Sequence, residues 1–230
     1  MMLASQNDAV RVNVVKDLTQ AVFPASCFSI LNIPDDSAEA NAIFRNLYNS
    51  PSPRHLVMAF CRHPKKYSLR ALANVFVVED RTPWEYLDTV HVWYEKPSSS
   101  SNTAFLPITE EAYLFYKGSP PNIDKTKWFS GDNSPNATNL WNVSVQPKED
   151  KQFSYYRKFT WEIPLILISM MTPLETRRFI YAPDWEKTPN YESLFKFCQE
   201  RGMQVQLYAP DAEQARQIVD KYEAFIGANL

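Results

Sequence analysis

The chain has 230 residues, with 24 lysines and arginines against 26 aspartates and glutamates. This near balance argues against a global field that would attract nucleic acid, so any such binding would need a local basic patch. Only four glycines occur, and none is close to another, which argues against the clustered glycines of a phosphate-cradling loop. The length is typical of one α/β domain, and we expect residues 1–230 to form a single domain.

Hydrophobic periodicity and turn residues predict the following elements in chain order. They are a helix at 7–22, a strand at 27–32, a helix at 35–50, a strand at 55–62, a helix at 67–76, strands at 89–97 and 110–118, a helix at 161–173, a strand at 177–183, a helix at 191–202, a strand at 203–210 and a helix at 211–226. Residues 119–150 are rich in Pro, Asn and Ser, and they read as an irregular surface excursion.

Strands that alternate with helices predict a three-layer α/β sandwich with a mostly parallel, Rossmann-like sheet. Ligands of such sheets lie beyond the carboxyl ends of the strands. The stretch FSILNIPDD, 28–36, is one such end, because a short apolar run stops at Asn32 and is followed by Pro34 and two acids. The candidate site is therefore expected at this edge.

The longest apolar run, 163–171, is too short to span a bilayer, and no charged-then-apolar leader opens the chain. Three scattered cysteines favour buried thiols in a reducing compartment. We therefore expect a cytoplasmic protein with no membrane partner. No metal site is predicted, because His55 and His63 flank a strand without a third ligand at suitable spacing, and ordinary surface placement explains them. His91 alternates within a strand, so we interpret it as structural.

The order of the segments resembles the amino-group DNA methyltransferases of the β arrangement, which modify exocyclic nitrogens of adenine or cytosine with S-adenosylmethionine (SAM). In that family a catalytic strand ends in (Asp/Asn/Ser)-Pro-Pro-aromatic, and ILNIPD occupies its place. The later segments VHVWYEKP, EEAYLFYKG, NLWNV and FTWEIPLILISMM resemble further motifs in the family's order. The resemblance covers most of the chain and implies a SAM-dependent methyltransferase-like fold, with 119–150 in the place of the target-recognition region.

The resemblance assigns the catalytic positions to Asn32, Pro34 and Asp35. In the family the first polar residue accepts a hydrogen bond from the target amino group, and the aromatic residue stacks on the flipped-out base. Asn32 keeps the acceptor, although a turn residue that satisfies nearby backbone is the simpler interpretation. Asp35 cannot stack, and helix capping explains both Asp35 and Asp36.

The cofactor positions depart further from the family. Where the family has a Gly-rich loop, this chain reads APDWEKTPN, 182–190, which has no glycine and carries Asp184 and bulky Trp185. Where the family's next strand ends in an acid that binds the ribose hydroxyls, this chain has Tyr208. Asp211 follows three residues later, and capping of the last helix explains it equally well.

Two groups of basic residues are candidates for nucleic-acid contact. The denser group follows the second predicted strand, and the other borders the excursion: Arg62, Lys65, Lys66 and Arg70, then Lys117, Lys125 and Lys127. Solvated loops explain both groups as well.

Three functions stay open from the sequence. The first is a degenerate DNA-methyltransferase-like protein, without SAM as a cofactor and without catalysis, that binds DNA or a protein partner. The second is an active SAM-dependent DNA amino-methyltransferase with a diverged cofactor loop. The third is an unrelated α/β protein. The lost glycines, ribose acid and stacking aromatic together favour the first.

Overall fold

The computed structural model describes residues 1–34, 36–60, 78–79, 81–94, 109–120, 140–143, 178–182, 195–196, 199 and 202–228. For residues 32, 92–94, 109–110, 140–143 and 178–182 it describes the backbone alone.

Nine strands in these residues form a single sheet. They are β1 (Met2–Ala4), β2 (Val10–Val14), β3 (Phe28–Asn32), β4 (His55–Phe60), β5 (Glu85–Tyr94), β6 (Thr109–Lys117), β7 (Leu140–Val143), β8 (Arg178–Ala182) and β9 (Gln204–Ala209), in the spatial order β1-β2-β9-β8-β3-β4-β6-β5-β7. Two α-helices lie wholly within these residues, α1 (Ser37–Tyr48) and α2 (Ala212–Ala228), together with a short 3-10 helix, Leu18–Gln20.

The sheet is mixed. The neighbouring strands β2, β9, β8, β3 and β4 are parallel to one another, and β7 is parallel to β5. Antiparallel pairs join β1 to β2 and join β6 to both β4 and β5. The mostly parallel arrangement expected from the sequence thus describes the five-strand block and not the sheet as a whole.

The strand order reverses between β8 and β3. From β3 the chain continues outward to β4, whereas from β8 it continues to β9 on the other side. The carboxyl ends of β8 and β3 lie next to each other, with Leu31 opposite Ala182. Such a reversal leaves a crevice at the carboxyl edge, and open α/β sheets bind their ligands there.

Each face of the sheet is covered by an apolar cluster and a helix. On one face, α2 buries Ala215, Ile218 and Tyr222 in a cluster that includes Ile30 and Met58. On the other face, α1 buries four side chains along a single stripe: Ala40, Ile43, Phe44 and Leu47. This spacing of three and four residues is typical of an amphipathic helix, and each large side chain so buried contributes about 1.5–3 kcal/mol.

The prediction of a helix at 7–22 is wrong. Residues Val10–Val14 form β2, which pairs with β9 in the sheet, and only Leu18–Gln20 is helical. The β-branched Val10 and Val12 are buried and alternate with the half-exposed Arg11 and Asn13, and this period of two is typical of a strand. The strand wins over the helix because Val10 and Val12 become fully buried beside β9.

The other predicted elements in the described residues are found with shifted ends. Strands predicted at 27–32, 55–62, 110–118, 177–183 and 203–210 correspond to β3, β4, β6, β8 and β9, and the one at 89–97 overlaps β5, which starts earlier. The helices at 35–50 and 211–226 are α1 and α2. In 191–202, residues 195–196 and 199 are helical. The excursion at 119–150 contains β7, and the predicted helices at 67–76 and 161–173 lie outside the described residues.

In the part of the chain that the structure describes, no helix is both long and apolar enough to cross a membrane.

Candidate functional site

Asn32 is the last residue of β3, at the carboxyl edge beside the strand reversal. It lies opposite Phe60, the last residue of β4, and the Ile33 amide donates to the Phe60 carbonyl oxygen at 2.9 Å. Ile33 is 8% exposed and packs in the cluster under α1, and Pro34 is half-buried. The backbone leaving β3 is thus held on both sides of Asn32. Asp35 lies outside the described residues.

Asp36 is the N-cap of α1. Its carboxylate oxygen Oδ1 accepts hydrogen bonds from the amides of Ala38 at 2.8 Å and Glu39 at 2.9 Å. These are two of the amides that a helix leaves without a partner in its first turn. The capping interpretation of Asp36 is confirmed, and it accounts for this acid without any part in catalysis.

Tyr208 occupies the position where the resemblance places the acid that binds ribose. Its side chain is 1% exposed and belongs to the cluster that includes Leu31 and Ile33. The ring of Phe23 meets it edge to face, with ring centroids 5.4 Å apart. A buried aromatic ring at this place is part of the core, and it does not supply the carboxylate that would accept hydrogen bonds from two ribose hydroxyls.

The next acid along the chain, Asp211, lies just before α2. Its Oδ1 accepts from the Gln214 amide at 2.8 Å, so this carboxylate caps the first turn of α2. The described residues at the end of β9 therefore do not fit SAM in the way that the resemblance implies. Asp184 and Trp185, the other two cofactor positions, lie outside the described residues.

An open cleft of about 650 Å³ lies where the segment after β2 meets the start of α1. Its lining residues are Lys16, Asp17, Leu18, Thr19, Asp36, Ala38, Glu39 and Ala42. Burial, followed by the charges of Asp17 and Asp36, raises the pKa of Glu39. Asp17 also accepts from the Thr19 amide, and hydrogen bonding to Thr19 lowers its pKa. Three carboxylates against one lysine make the cleft a poor place for a phosphate backbone.

Six of the candidate nucleic-acid contacts stay predictions. Arg62, Lys65, Lys66, Arg70, Lys125 and Lys127 lie outside the described residues. Lys117 was expected beside them, and that expectation is wrong. Its side chain is buried, and Nζ donates to the carbonyl oxygens of Tyr48 at 2.6 Å and Ser50 at 2.8 Å. The ammonium thus binds the backbone at the end of α1, where a positive charge is favourable.

His55 is also placed differently from the expected surface position. It is the first residue of β4, and its side chain is 3% exposed. Nε2 lies 2.7 Å from Ser29 Oγ, and the Trp84 ring packs edge to face on the imidazole. The signal in the sequence is the unbroken apolar run that His55 opens, HLVMAF, because strands that are buried on both faces read as continuous apolar runs. This polar cluster lies at the amino ends of β3 and β4, opposite the candidate site.

Within the described residues, no three His, Cys, Asp or Glu side chains are grouped as metal ligands. His63 lies outside those residues.

Similar proteins are found among solved structures and not among family models or curated sequences. No protein-family model matches the chain, and no curated protein sequence does so either. Solved structures match over nearly the whole chain. The M1.HpyAVI–SAM complex has a TM-score of 0.59 at 13% identity, over 93% of this chain and 98% of that one. The cytosine-N4-specific PvuII DNA methyltransferase has a TM-score of 0.62 at 11% identity, over 97% and 94%. TTHA0409 from Thermus thermophilus has a TM-score of 0.60 at 9% identity, over 96% and 95%.

At these identities the likeness is one of fold, and it is in keeping with a sheet whose two faces are each covered by a helix and an apolar cluster. The chain therefore has the α/β fold of the SAM-dependent amino-group DNA methyltransferases.

Proposed function

We propose that this chain is a catalytically inactive protein with a DNA-methyltransferase fold, which binds nucleic acid and does not transfer methyl groups. The observation that carries the proposal is the burial of Tyr208 at the position of the ribose-binding acid. The hydroxyls of a bound ribose need acceptors, and an aromatic side chain packed against Phe23 leaves the end of β9 without a carboxylate to serve them.

Two independent features of the sequence support the same proposal. The stretch 182–190 has no glycine where the resemblance requires bare backbone. Asp35 stands where the family has an aromatic residue, and the loss of one stacking partner costs about 1–3 kcal/mol of binding per base. A single loss could be compensated elsewhere. The replaced ribose acid, the missing glycines and the missing stacking residue affect separate parts of the cofactor and base sites, so all three are harder to compensate.

The cleft beside α1 bears on where a nucleic acid would bind. Its carboxylates repel phosphates, so we assign the phosphate contacts to the basic residues after β4 and in the excursion: Arg62, Lys65, Lys66, Arg70, Lys125 and Lys127. The first four come after β4 in the chain, and β4 ends at the same edge of the sheet as Asn32.

SAM binding tests the absence of catalysis. In isothermal titration calorimetry and thermal-shift assays we expect SAM to produce no binding heat and no stabilisation. M1.HpyAVI, whose structure was solved as a SAM complex, is the positive control. Micromolar binding to this chain would raise its melting temperature as the ligand concentration rises and would overturn the proposal.

DNA binding tests the second half of the proposal. We expect gel shifts with duplex DNA that weaken steeply as salt rises, and we expect the double variant Lys65→Ala/Lys66→Ala to reduce the salt slope by about 1.5–2. The matched control is Lys221→Ala, on α2, which should leave the slope unchanged. If no DNA binds even at low salt, the nucleic-acid function is lost and a protein partner becomes the remaining binding function.

One observation favours an active methyltransferase as the second candidate. Asn32 ends β3 directly beside the strand reversal, where the ligand of such a sheet lies. If the chain is active, Asn32→Ala should abolish transfer of a labelled methyl group from SAM to DNA while the circular dichroism spectrum is unchanged. Asn32→Asp should retain transfer, because the family pattern accepts either residue. If the wild-type protein transfers no label, this candidate is eliminated.

A further inference from the structure

A second polar cluster lies at the same edge of the sheet as Asn32, and it consists of His91, Glu111 and Tyr113. The strand ladders fix its position. Asn32 is opposite Phe60, and Phe60 is opposite Ala112, so Glu111 lies one residue beyond this row, on the side toward which β3 and β4 run. His91 on β5 is directly opposite Glu111. Because adjacent strands are about 4.8 Å apart, Glu111 is about 10 Å across the sheet from β3.

Glu111 is the centre of the cluster. The Tyr113 hydroxyl donates to Glu111 Oε2 at 2.5 Å, and Tyr113 is itself buried in the apolar cluster with Leu31 and Ile33. Since the buried ring fixes the hydroxyl, the carboxylate is held in one orientation from the protein side. The side chain of Glu111 is 25% exposed, so it is reachable from solvent.

His91 lies on the other side of the same carboxylate. Its Nδ1 is 3.4 Å from Glu111 Oε1, and its side chain is 40% exposed. A charge-assisted hydrogen bond would be about 2.7–2.9 Å long, so this contact leaves Oε1 able to accept from another donor. The ring nitrogen remote from Glu111, Nε2, adds a second polar atom to this exposed surface.

We propose that Glu111, braced by Tyr113 and flanked by His91, reads the base edge of the bound nucleic acid by accepting a hydrogen bond from an exocyclic amino group. The proposal rests on the nucleic-acid binding proposed above. A carboxylate accepts from the N4 amino group of cytosine, whereas the O4 carbonyl of uracil or thymine is an acceptor and meets the carboxylate with repulsion. The cluster therefore selects cytosine over uracil.

The test compares two single-stranded oligonucleotides of about 12 nucleotides, one of deoxycytidine and one of deoxyuridine, by fluorescence anisotropy. We expect the wild-type protein to bind the cytidine oligomer on the order of tenfold more tightly, as one specific contact to a base edge does. Glu111→Gln should remove most of this ratio, because the amide can donate to O4 as well as accept. His91→Ala should reduce it in part.

The antiparallel strand pair β5 and β6, which carries His91 and Glu111, also offers a matched control. At its other end Glu85 Oε2 accepts from the Tyr116 hydroxyl at 2.7 Å, and these two residues are likewise opposite each other on β5 and β6. Glu85→Gln thus neutralises the same kind of carboxylate away from the candidate site, and it should leave the cytidine-to-uridine ratio at its wild-type value.

The outcomes separate this inference from the function on which it rests. Binding of both oligomers with equal affinity, or a ratio that survives Glu111→Gln, overturns the inference and leaves nucleic-acid binding in place. A ratio lost equally in Glu85→Gln also overturns it, because the effect would then be one of general charge. Failure of both oligomers and of duplex DNA to bind overturns the inference together with the proposed function.

Discussion

At the scale of single residues, the buried imidazole of His55 links the fold to pH. Burial is the main cause that lowers the pKa of His55, from an ordinary 6.5 to about 3, and the charge of Lys117 lowers it further in the same direction. The neighbouring Ser29 Oγ, 2.7 Å from Nε2, satisfies the neutral ring. The folded protein therefore holds His55 without its proton under conditions in which the unfolded chain binds one.

This difference predicts the sign of the pH dependence. Because the folded-state pKa is lowered, the contribution of His55 to stability is complete above the unfolded value near 6.5 and is lost as the pH falls toward about 3. In that window one extra proton binds to the unfolded state, so the free energy of unfolding should fall by about 1.4 kcal/mol per pH unit. Urea unfolding between about pH 7 and about pH 4 measures the slope.

His55→Gln separates this residue from the carboxylates that titrate at lower pH. The variant lacks the ionisable ring, so its stability should depend less on pH than that of the wild type over this window. In nuclear magnetic resonance spectra of the wild type, the His55 ring signals should not shift as the pH is lowered to about 4. Parallel stability profiles, or a His55 signal that titrates near neutral pH, would refute the assignment.

The roles of some of these residues could be predicted from the sequence and the roles of others could not, for a physical reason. Asp36 could be predicted as an N-cap because capping is local, depending on amides two and three residues ahead. Lys117 could not be placed, because its partners Tyr48 and Ser50 are far away in the chain. The residues of the candidate site also differ in how far the sequence predicts them. Asn32 follows from the end of an apolar run, whereas the burial of Tyr208 depends on Phe23 and on α1.

At the scale of elements, the turn after β6 depends on Gly118. Its φ is +77°, and a Cβ built there would lie 2.4 Å from the Pro53 carbonyl oxygen. Gly118→Ala should therefore destabilise the protein by at least about 2 kcal/mol, because both the backbone conformation and the clash with main chain are costly. Equilibrium denaturation measures this loss.

Gly227 provides the comparison within the same chain. It lies in the last turn of α2, where nothing approaches a built Cβ within 4 Å. Gly227→Ala should be neutral or should stabilise the protein by up to about 1 kcal/mol, in line with the helix propensity of alanine. Equal losses for the two substitutions would show that the turn at Gly118 can relax.

Element types were predictable where a single pattern dominated. The continuous apolar runs of β3 and β4 and the stripe of α1 are such cases. The segment Val10–Val14 carried both a period of two and an apparent helical spacing, and only its pairing with β9 decides between them. Leu140–Val143 is a strand because it pairs with β5. A segment of four residues has too short a pattern to reveal this in isolation.

At the scale of the whole molecule, the order of the strands in the sheet could not be predicted from the sequence patterns alone. β2 lies against β9, with Val10 opposite Val205, so residues from the two ends of the chain complete one parallel block. Alternation of helices and strands predicts an α/β sheet without giving the neighbours of each strand. The motif order of the resembled family supplied the fold, and the structural matches agree with it.

The same sheet order predicts how stability is distributed in hydrogen exchange. β3 lies between β8 and β4, and it separates the two apolar clusters, so the amide of Ile30 should exchange only when the whole domain unfolds. β1 is a three-residue edge strand with a partner on one side. The amide of Leu3 should therefore exchange by local fraying, at rates that change little when a mild denaturant is added. Equal protection at Leu3 and Ile30 would contradict this distribution, because it would require the β1 edge to open only together with the core.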